Sequence, residues 1–444
     1  LKHYLNDENA SCEAPEFREL YHSDPQVKRI TDIAVKLEGR YRTHGIHACA
    51  TVVAPTPIWN FFPVETSNDI IATTVPMHDV EEGGPSGGLW KIDVLGLSTL
   101  DLIEDTLRII KSTGKQVPDI DNIPLDDYET LKLYREGRSK NTFTFSSPGM
   151  RHALMGLKVD KFSDLTLVNA LYRPGAMDYI DNIIRRKFGQ EEIKYMLNDT
   201  EHILKDTYGY VAYQEQGIRI ALQIGFSGGE ADNMRKALAK KNKGFLDMIY
   251  PTFKEKAMAC GNTEKQVEEY WESLIGFSRY SFNYAHALAY AFLGYQTGYL
   301  KAHYPAEYMA AYLNHVSGDK DKLGAAIVDA KSEGIEVSTP NVLYSDTGFA
   351  VDNKGKIVYA LSAIKKVGKA SDVIIENRKH NIKPKTLGEF LNQFTSSELT
   401  RGKIEALAKG GAFDCFADNE EEIFNSRAEL LYNFDKVMDY YKPP

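Results

Sequence analysis

Lys91 and Asp93 stand two residues apart in the segment WKIDVLG. The segment is short, alternates in polarity and precedes a glycine turn, so it predicts a β-strand on which both side chains point to the same face. A carboxylate within a core strand is costly unless it faces a site, which makes Asp93 the best candidate metal-binding carboxylate. An ammonium beside it would hold a phosphate near that metal. A plain ion pair is the alternative, and the two residues by themselves favour it.

A second candidate site lies in ALSAIKKVGKASDVIIENRK (360–379), which predicts a helix, a tight turn at Val367-Gly368 and a second helix. A glycine lets such a turn approach a phosphate, and the second helix offers that anion its free N–H groups and positive dipole end. Lys365, Lys366 and Lys369 surround the turn and would add binding through counterion release. The pattern predicts a helix-hairpin-helix motif that binds DNA phosphates; an ordinary pair of packed helices is the alternative.

His44, His47 and Cys49 in THGIHAC are residue types that bind metals, but no fourth ligand follows at a suitable spacing. Zinc is therefore not favoured, and structural or phosphate-contacting histidines are the preferred interpretation. The four cysteines of the chain lie far apart without a CxxC pair, which predicts reduced, isolated thiols. Neither a phosphate-binding P-loop nor a dinucleotide-binding glycine motif occurs, so an ATPase or a dehydrogenase has no support.

The elements that must position these residues follow from the hydrophobic periodicity. Residues 1–38 are periodic in the manner of helices and end at Gly39. The apolar, β-branched run IHACATVVAP (46–55) predicts a buried strand. A helix follows the strand at 89–97, and residues 128–310 are mostly helical with polar loops. The polar candidates around Asp93 therefore lie on strands, and most of the chain is helical.

The last quarter of the chain has its own pattern. Alternating apolar residues on either side of Asn353-Lys354-Gly355 predict a β-hairpin within 348–361. The tail, 417–444, predicts a helix that caps the preceding segment. No repeat of solenoid period and no low-complexity segment is present.

Composition describes a globular protein of several domains: 444 residues, 43% apolar and 26% charged. No apolar run approaches the ~18 residues of a membrane span, and the N-terminal residues lack a signal core, which predicts the cytoplasm. The net charge of −9 argues mildly against nucleic acid. Basic residues nevertheless cluster at 183–189, 234–244 and 363–369. For each cluster a solvated helix face is the alternative interpretation.

Several strings, in order along the chain, resemble the C-family of bacterial replicative DNA polymerases, the DNA polymerase III alpha subunits. They are KLEGRYRTHGIHACATVVAPTP (36–57), LWKIDVLGLSTLDLI (89–103), FTFSSPGMR (143–151), ALYRPGAMD (170–178), TYGYVAYQEQ (207–216), GFSGGEADNMRKALAKK (225–241), YSFNYAHALAYAFLGYQTGYLKAHYPAEYMAAYL (280–313) and the hairpin region ending in KGGAFD (409–414). One such string would be weak evidence. Their collinear order over nearly the whole chain makes a chance match negligible.

The resemblance implies an α+β, predominantly helical fold. It would comprise a palm remnant with a mixed sheet, large helical fingers and a helix-hairpin-helix module. The implied domains are a thumb remnant (1–38), the C-terminal half of the palm (39–107), the fingers (108–316), a linker helix, β-hairpin and helix-hairpin-helix module (317–416), and a C-terminal helix (417–444).

The chemistry that the resemblance implies is two-metal nucleotidyl transfer from a dNTP to a primer 3′-OH, with Mg²⁺ held by carboxylates. Asp93 would be one of three metal-binding aspartates, and Lys91 would lie near the primer end or the nucleotide phosphates. The remaining residues are carried over from the fingers and hairpin strings. A phosphate grip would come from Arg235, Lys236, Lys240 and Lys241, a base-pair pocket from Arg173, Asn283 and His286, and DNA phosphate contacts from Lys365, Lys366, Val367, Gly368 and Lys369.

The family's other two aspartates lie in a P-D-x-D-x-D string, whereas PDID at 118–121 comes after Asp93 and predicts a loop instead. With one carboxylate, and with Leu1 in place of a starting Met, the chain is expected to be part of a split or truncated polymerase. It should be inactive alone and be completed by a second polypeptide or a missing segment. Expected partners are primer–template DNA, dNTPs, a sliding clamp and other replisome proteins, without a membrane, in the cytoplasm of a bacterium or a phage-infected host.

The alternative is a catalytically inactive, polymerase-like module that binds DNA or a replisome partner. Its support is a set of departures from the family pattern. Ser146 replaces the usual Glu, Lys236 replaces Arg, and Tyr284-Ala285 replaces Lys-Ser. The change at 236 keeps the charge but loses the bidentate geometry of a guanidinium on phosphate.

Overall fold

The structure, a computed structural model, divides into two compact units, Leu1–Leu97 and Ser98–Pro444, each considered by itself. It describes residues 5, 15–40, 45–47, 49–67, 69–82, 88–173, 175–239, 243–278, 281–417, 419 and 422–441. Among these residues, no helix has both the length and the apolar character needed to cross a membrane.

The first unit opens with two helices, α1 (Pro15–Ser23) and α2 (Pro25–Leu37). Asp24 accepts hydrogen bonds from the backbone N–H groups of the first turn of α2, which fixes the start of that helix. The chain leaves α2 through Gly39, whose φ of +84° is a left-handed conformation that glycine adopts without strain. The helical prediction for this region is confirmed within the described residues.

The sheets of the described first unit are two antiparallel strand pairs. Strand β1 (Ala50–Val53) pairs with β4 (Trp90–Asp93), and β2 (Val64–Ser67) pairs with β3 (Ile70–Thr73). A short helix, α3 (Met77–Glu82), precedes β4. The prediction of a strand within 46–55 is confirmed at Ala50–Val53, but its predicted burial is wrong, because β1 alternates between half-buried and exposed residues. A strand in a two-stranded ribbon has little sheet around it to cover its faces.

The second unit begins with a bundle of helices. In chain order they are α4 (Ser98–Ser112), α5 (Tyr128–Arg135), α6 (Pro148–Leu157), α7 (Phe162–Leu171), α8 (Ile180–Lys187), α9 (Glu201–Leu204), α10 (Gln214–Gln223), α11 (Gly228–Ala239), α12 (Lys243–Ala259), α13 (Glu264–Ser278), α14 (Tyr284–His303), α15 (Pro305–Val316) and α16 (Lys320–Ser332). Together with the small sheets, they confirm the α+β, predominantly helical fold class.

Helix α14 lies at the centre of this bundle, and two of its glycines explain how closely its neighbours approach. A Cβ at Gly294 would collide with the ring of Phe145, and one at Gly298 would collide with the ring of Tyr134. Tyr134 and Phe145 are fully buried, and the Tyr134 hydroxyl donates to the Gly294 carbonyl. The small residues thus place the 134–145 segment directly against α14.

The basic cluster at 183–189 serves the packing of the second unit. Lys187 is nearly buried and donates to the carboxylate of Asp164, which has no exposed surface, at 2.6 Å. The guanidinium of Arg186 lies over the ring of Tyr210, 4.2 Å from its centroid, and donates to the Tyr208 carbonyl. These two cations are internal, so the solvated-face interpretation does not describe them.

The C-terminal part contains a hairpin and further helices around a separate apolar cluster. Strands β5 (Ala350–Val351) and β6 (Ile357–Val358) pair antiparallel, as the Asn353-Lys354-Gly355 pattern predicts. The helices that follow are α17 (Ala370–His380), α18 (Leu387–Leu391), α19 (Arg401–Gly410), α20 (Arg427–Tyr432) and α21 (Phe434–Tyr441). The described residues of the tail therefore form two short helices in place of the single predicted one.

The cysteine thiols of the described residues should differ in reactivity. Burial raises the pKa of the Cys415 thiol to about 12, whereas Cys260 is exposed. Because the thiolate is the nucleophile, iodoacetamide at about pH 8 should alkylate Cys260 readily and leave Cys415 unmodified in the folded protein. Peptide mass spectrometry measures both, and urea-unfolded protein, in which both should react, is the control. Equal alkylation of the two in the folded state would contradict the burial of Cys415.

Candidate functional site

Strand β4 presents Lys91 and Asp93 on one face, as the alternation predicts. The Lys91 ammonium lies 2.5 Å from Oδ2 of Asp93 and 3.5 Å from Oε1 of Glu81. The hydrogen bond from Lys91 holds the pKa of the Asp93 carboxyl below its usual range and raises the pKa of Lys91. The ion pair between Lys91 and Asp93 is present, Asp93 is ionised beside a fixed cation, and its role as a metal ligand stays a prediction.

The segment just before β1 brings a thiol and an imidazole to Asp93, the last residue of β4. Sγ of Cys49 lies 3.3 Å from Nδ1 of His47 and 3.8 Å from Oδ1 of Asp93. One ligand atom from each of these residues lies within 4.8 Å of the others. His44 lies outside the described residues. The spacing of the residues near Cys49 did not reveal this cluster, because Asp93 is 44 residues further along the chain. Asp93 comes close to Cys49 only because β4 pairs with β1.

In the second unit, Arg173 and His286 meet on the ring of Phe282. The Arg173 guanidinium lies 4.1 Å from the ring centroid, while the His286 ring approaches it edge-on at 5.2 Å. His286 also stacks on Tyr290, with 4.3 Å between ring centroids. Burial lowers the pKa of Arg173. The structure thus brings together two of the three residues predicted for the base-pair pocket, on an aromatic surface that the sequence did not single out.

Asn283, the third of those residues, caps helix α14. Its Oδ1 accepts from the backbone N–H of His286 at 2.7 Å, and its Nδ2 donates to Oε1 of Glu215 at 2.9 Å. Glu215 also accepts from the backbone N–H of Tyr284 at 2.8 Å. A carboxylate at this position satisfies the free donors and favours the positive end of the helix dipole. Glu215 lies within the string TYGYVAYQEQ, but nothing in its local pattern indicated this contact.

Arg235 and Lys236 on α11 are both paired with Asp232. Arg235 donates through Nε at 2.9 Å, and Lys236 lies 2.8 Å from the other carboxylate oxygen. Hydrogen bonds from these two cations hold the pKa of Asp232 below its usual range. Arg235 also lines a small cavity with Tyr213, Gln214 and Ser281 among others. Lys240 and Lys241 lie outside the described residues.

The predicted DNA-binding turn exposes its cations and buries its valine. Lys365, Lys366 and Lys369 are exposed along with Gly368, while Val367 is 2% exposed within the apolar cluster. Helix α17 begins directly after Lys369 with no side chain capping its N-terminus. The backbone N–H groups of Ala370 and Ser371, at the start of α17, donate to the carbonyls of Val367 and Gly368, so the exposed lysines and not free N–H groups are what this turn offers a phosphate.

The prediction that a helix precedes the Val367-Gly368 turn is wrong. Residues 361–369 form a succession of turns instead of a regular helix. Lys366 has a φ of +74° and Gly368 a φ of +44°, and residues in the left-handed region cannot continue a right-handed helix. The turn at Val367-Gly368 and the second helix remain as predicted.

Comparisons with known proteins cover most of the chain. A profile described as "Bacterial DNA polymerase III alpha NTPase domain" matches residues 2–96, and one described as "Bacterial DNA polymerase III alpha subunit finger domain" matches residues 99–261. A helix-hairpin-helix motif profile matches residues 334–423. The three lie in the order that the resemblance predicts.

Curated relatives match the chain almost end to end. The DNA polymerase III subunit alpha of Aquifex aeolicus is 36% identical over 94% of this chain and 36% of its own length. The subunit of Thermus aquaticus is 36% identical over 96% of this chain and 34% of its own length. The subunit of Bacillus subtilis is 34% identical over 98% of this chain and 38% of its own length. The chain belongs to the C-family of bacterial replicative DNA polymerases, the DNA polymerase III alpha subunits. It spans about a third of the length of the curated relatives it matches.

Proposed function

We propose that this chain takes part in template-directed DNA synthesis, in which a primer 3′-OH attacks an incoming dNTP. The observation that carries the proposal is the order of the three family matches. A segment that matches the alpha-subunit NTPase-domain profile and holds the ionised Asp93, a finger-domain segment and a helix-hairpin-helix segment follow one another along the chain. Primer–template DNA and dNTPs are the substrates in this proposal. A completing polypeptide, a sliding clamp and other replisome proteins stay predictions.

Asp93 fits one part of a magnesium site. It is ionised, and Mg²⁺ prefers carboxylate oxygen. The other donors beside it, an imidazole and a thiol, do not suit Mg²⁺, so oxygen ligands from other carboxylates, the nucleotide or water are needed. When bound, the two ions supply activation of the primer hydroxyl and stabilisation of the leaving pyrophosphate. Lys91 orients Asp93 and contributes a positive charge for a phosphate.

The fingers residues offer an aromatic surface and a cation to the nascent base pair and triphosphate. Arg173 is held against Phe282 by its stacking and by a hydrogen bond from its Nε to the Ala170 carbonyl at 2.8 Å. A guanidinium fixed in this way is preorganised for phosphate or base contacts. His286 and Tyr290 extend the aromatic surface, on which a base can stack with about 1–3 kcal/mol of favourable energy.

The exposed lysines of the hairpin turn give a prediction about DNA affinity. Replacing Lys365, Lys366 and Lys369 together by alanine should weaken primer–template binding and lower the slope of log affinity against log salt by about 3, since each phosphate contact contributes about 0.9. Titrations at several salt concentrations measure the slope. The charge-matched control replaces the exposed lysines Lys320, Lys322 and Lys331 of helix α16 by alanine. This control should keep the salt slope of the unaltered chain. An equal loss in both variants would indicate a non-specific charge effect.

A second candidate function, a DNA-binding module without catalysis, is favoured by one observation. Asp232 neutralises both Arg235 and Lys236, the two described cations of the predicted phosphate grip. In a working polymerase these cations must leave Asp232 or share it when a triphosphate arrives. In a module without catalysis the pairing would simply persist.

Primer extension separates the two candidates. The complete polymerase in which this chain works should add the templated nucleotide to a primer in the presence of Mg²⁺. Salt-dependent DNA binding without any extension, under conditions in which a known polymerase extends the same primer, would overturn the proposal and leave the binding module.

A further inference from the structure

We propose that His47, Cys49 and Asp93 form a binding site for a borderline-soft divalent cation of the zinc type, with three protein ligands and an open fourth position. The proposal concerns the chain's own metal affinity and holds whether or not Asp93 also serves Mg²⁺ in synthesis. It differs from a magnesium site in its donor set, which is one nitrogen, one sulfur and one oxygen.

The spacing of the three donors fits a tetrahedral ion without rearrangement of the backbone. Zinc lies about 2.0–2.3 Å from its nitrogen, oxygen and sulfur ligands, which places neighbouring donors roughly 3.3–3.8 Å apart around a tetrahedron. The Cys49 Sγ to His47 Nδ1 distance is 3.3 Å, and the Cys49 Sγ to Asp93 Oδ1 distance is 3.8 Å. All three donor atoms lie within 4.8 Å of one another, so small side-chain rotations close the site.

Strand pairing, and not chance proximity of mobile side chains, sets these positions. Ala50 lies opposite Asp93 in the β1–β4 register, and the Cys49 carbonyl accepts from the backbone N–H of Val94 at 2.9 Å. This hydrogen bond extends the ladder by one residue and holds Cys49 beside the end of β4. Two donors therefore come from the segment that leads into β1, and the third comes from the end of β4.

The imidazole presents the nitrogen form that binds metals. Nδ1 of His47 accepts from the backbone N–H groups of Ala50 at 3.1 Å and of Cys49 at 3.3 Å. A ring nitrogen that accepts hydrogen bonds carries a lone pair, and Sγ of Cys49 lies 3.3 Å from this same nitrogen. Metal binding exchanges these backbone hydrogen bonds for a stronger coordinate bond.

One of the two carboxylate oxygens of Asp93 is available to coordinate the ion. Lys91 occupies Oδ2 at 2.5 Å, and Oδ1 faces Cys49. On binding, the Cys49 thiol loses its proton to solvent, and the thiolate together with the carboxylate, which Lys91 shares through Oδ2, offsets part of the charge of the divalent ion. A thiolate–imidazole pair selects zinc over magnesium, because Mg²⁺ requires oxygen ligands in octahedral geometry.

Cobalt(II) is a suitable probe because its visible and near-ultraviolet bands report tetrahedral geometry and thiolate ligation. Co²⁺ titrated into the reduced full chain should give a thiolate-to-metal band at one equivalent, which Zn²⁺ removes and a large excess of Mg²⁺ does not. Cys49→Ser should abolish the band and lower Zn²⁺ affinity at least about tenfold, as expected for loss of a ligand. The matched control, Cys260→Ser, removes an exposed thiol of the second unit and should keep both the band and the Zn²⁺ affinity.

A second measurement uses the unaltered chain, so its result does not depend on whether Cys49→Ser folds correctly. In the unaltered chain, Zn²⁺ should slow alkylation of Cys49 by iodoacetamide while leaving Cys260 equally reactive. Absence of a thiolate band, a band that persists unchanged in Cys49→Ser, or equal Zn²⁺ effects on Cys49 and Cys260 would each overturn the site.

Discussion

Asp93→Asn should lower the rate of primer extension by about 10³-fold, because loss of a metal-binding carboxylate removes several kcal/mol of transition-state stabilisation and each 1.36 kcal/mol is tenfold in rate. Asparagine keeps the shape of the side chain but not its charge. Lys91 then keeps Glu81 as its acidic partner at 3.5 Å, so the strand should remain folded. Single-turnover extension by the complete polymerase in Mg²⁺ measures the effect.

The control for this variant is Asp79→Asn. Asp79 is an exposed carboxylate on helix α3 of the same unit, and its replacement changes the net charge equally. Extension by that control should stay within about twofold, since surface substitutions away from special features have small effects. Primer–template affinity should be similar in both variants. Undiminished extension by Asp93→Asn would remove Asp93 from the mechanism.

Lys301→Met should destabilise the second unit by about 3–5 kcal/mol, the typical loss when one partner of a buried ion pair is removed. Lys301 on helix α14 is 3% exposed and donates to the carbonyls of Arg138 at 2.9 Å and Lys140 at 2.7 Å. Its third partner is Oε1 of Glu333 at 2.7 Å. Methionine fills the same space but leaves two carbonyls and a carboxylate without their donor.

Burial lowers the pKa of Lys301, which shows that its charge is held at a desolvation cost and only because these three acceptors surround it. Urea unfolding followed by circular dichroism measures the change in stability of the helical unit. Lys331→Met, which removes an exposed lysine of helix α16, is the matched control and should cost about 0.5 kcal/mol or less. Equal midpoints for the two variants would show that Lys301 contributes nothing beyond an ordinary surface lysine.

Local patterns in the sequence predicted the elements well. Alternation placed Lys91 and Asp93 on one strand face, and the Asn353-Lys354-Gly355 turn marked the hairpin between β5 and β6. These features depend on residues within a few positions of one another. The prediction of the first hairpin helix was wrong, although the composition of the segment suits a helix. The backbone at Lys366 is left-handed, and this conformation interrupts a right-handed helix.

Contacts between segments that are distant along the chain could not be predicted from the sequence. Cys49 and Asp93 meet only because β1 pairs with β4, and Arg173 lies over Phe282 only after the bundle has packed. Glu215 caps α14 across 68 residues. Nothing in the local periodicity of a lysine such as Lys301 shows whether its helix face will be covered. The resemblance supplied candidate residues, but their partners required the structure.

Formation of a ternary complex tests the central claim, that these residues serve template-directed synthesis, most directly. The primer is terminated with a dideoxynucleotide, so binding can be followed without chemistry. In Mg²⁺, the templated dNTP should tighten binding of the complete polymerase to primer–template DNA, and the three other dNTPs should not. Arg173→Ala should weaken that nucleotide-dependent tightening while keeping binding to DNA alone. Equal effects of all four dNTPs, or none, with normal DNA affinity would contradict a polymerase and leave a DNA-binding module.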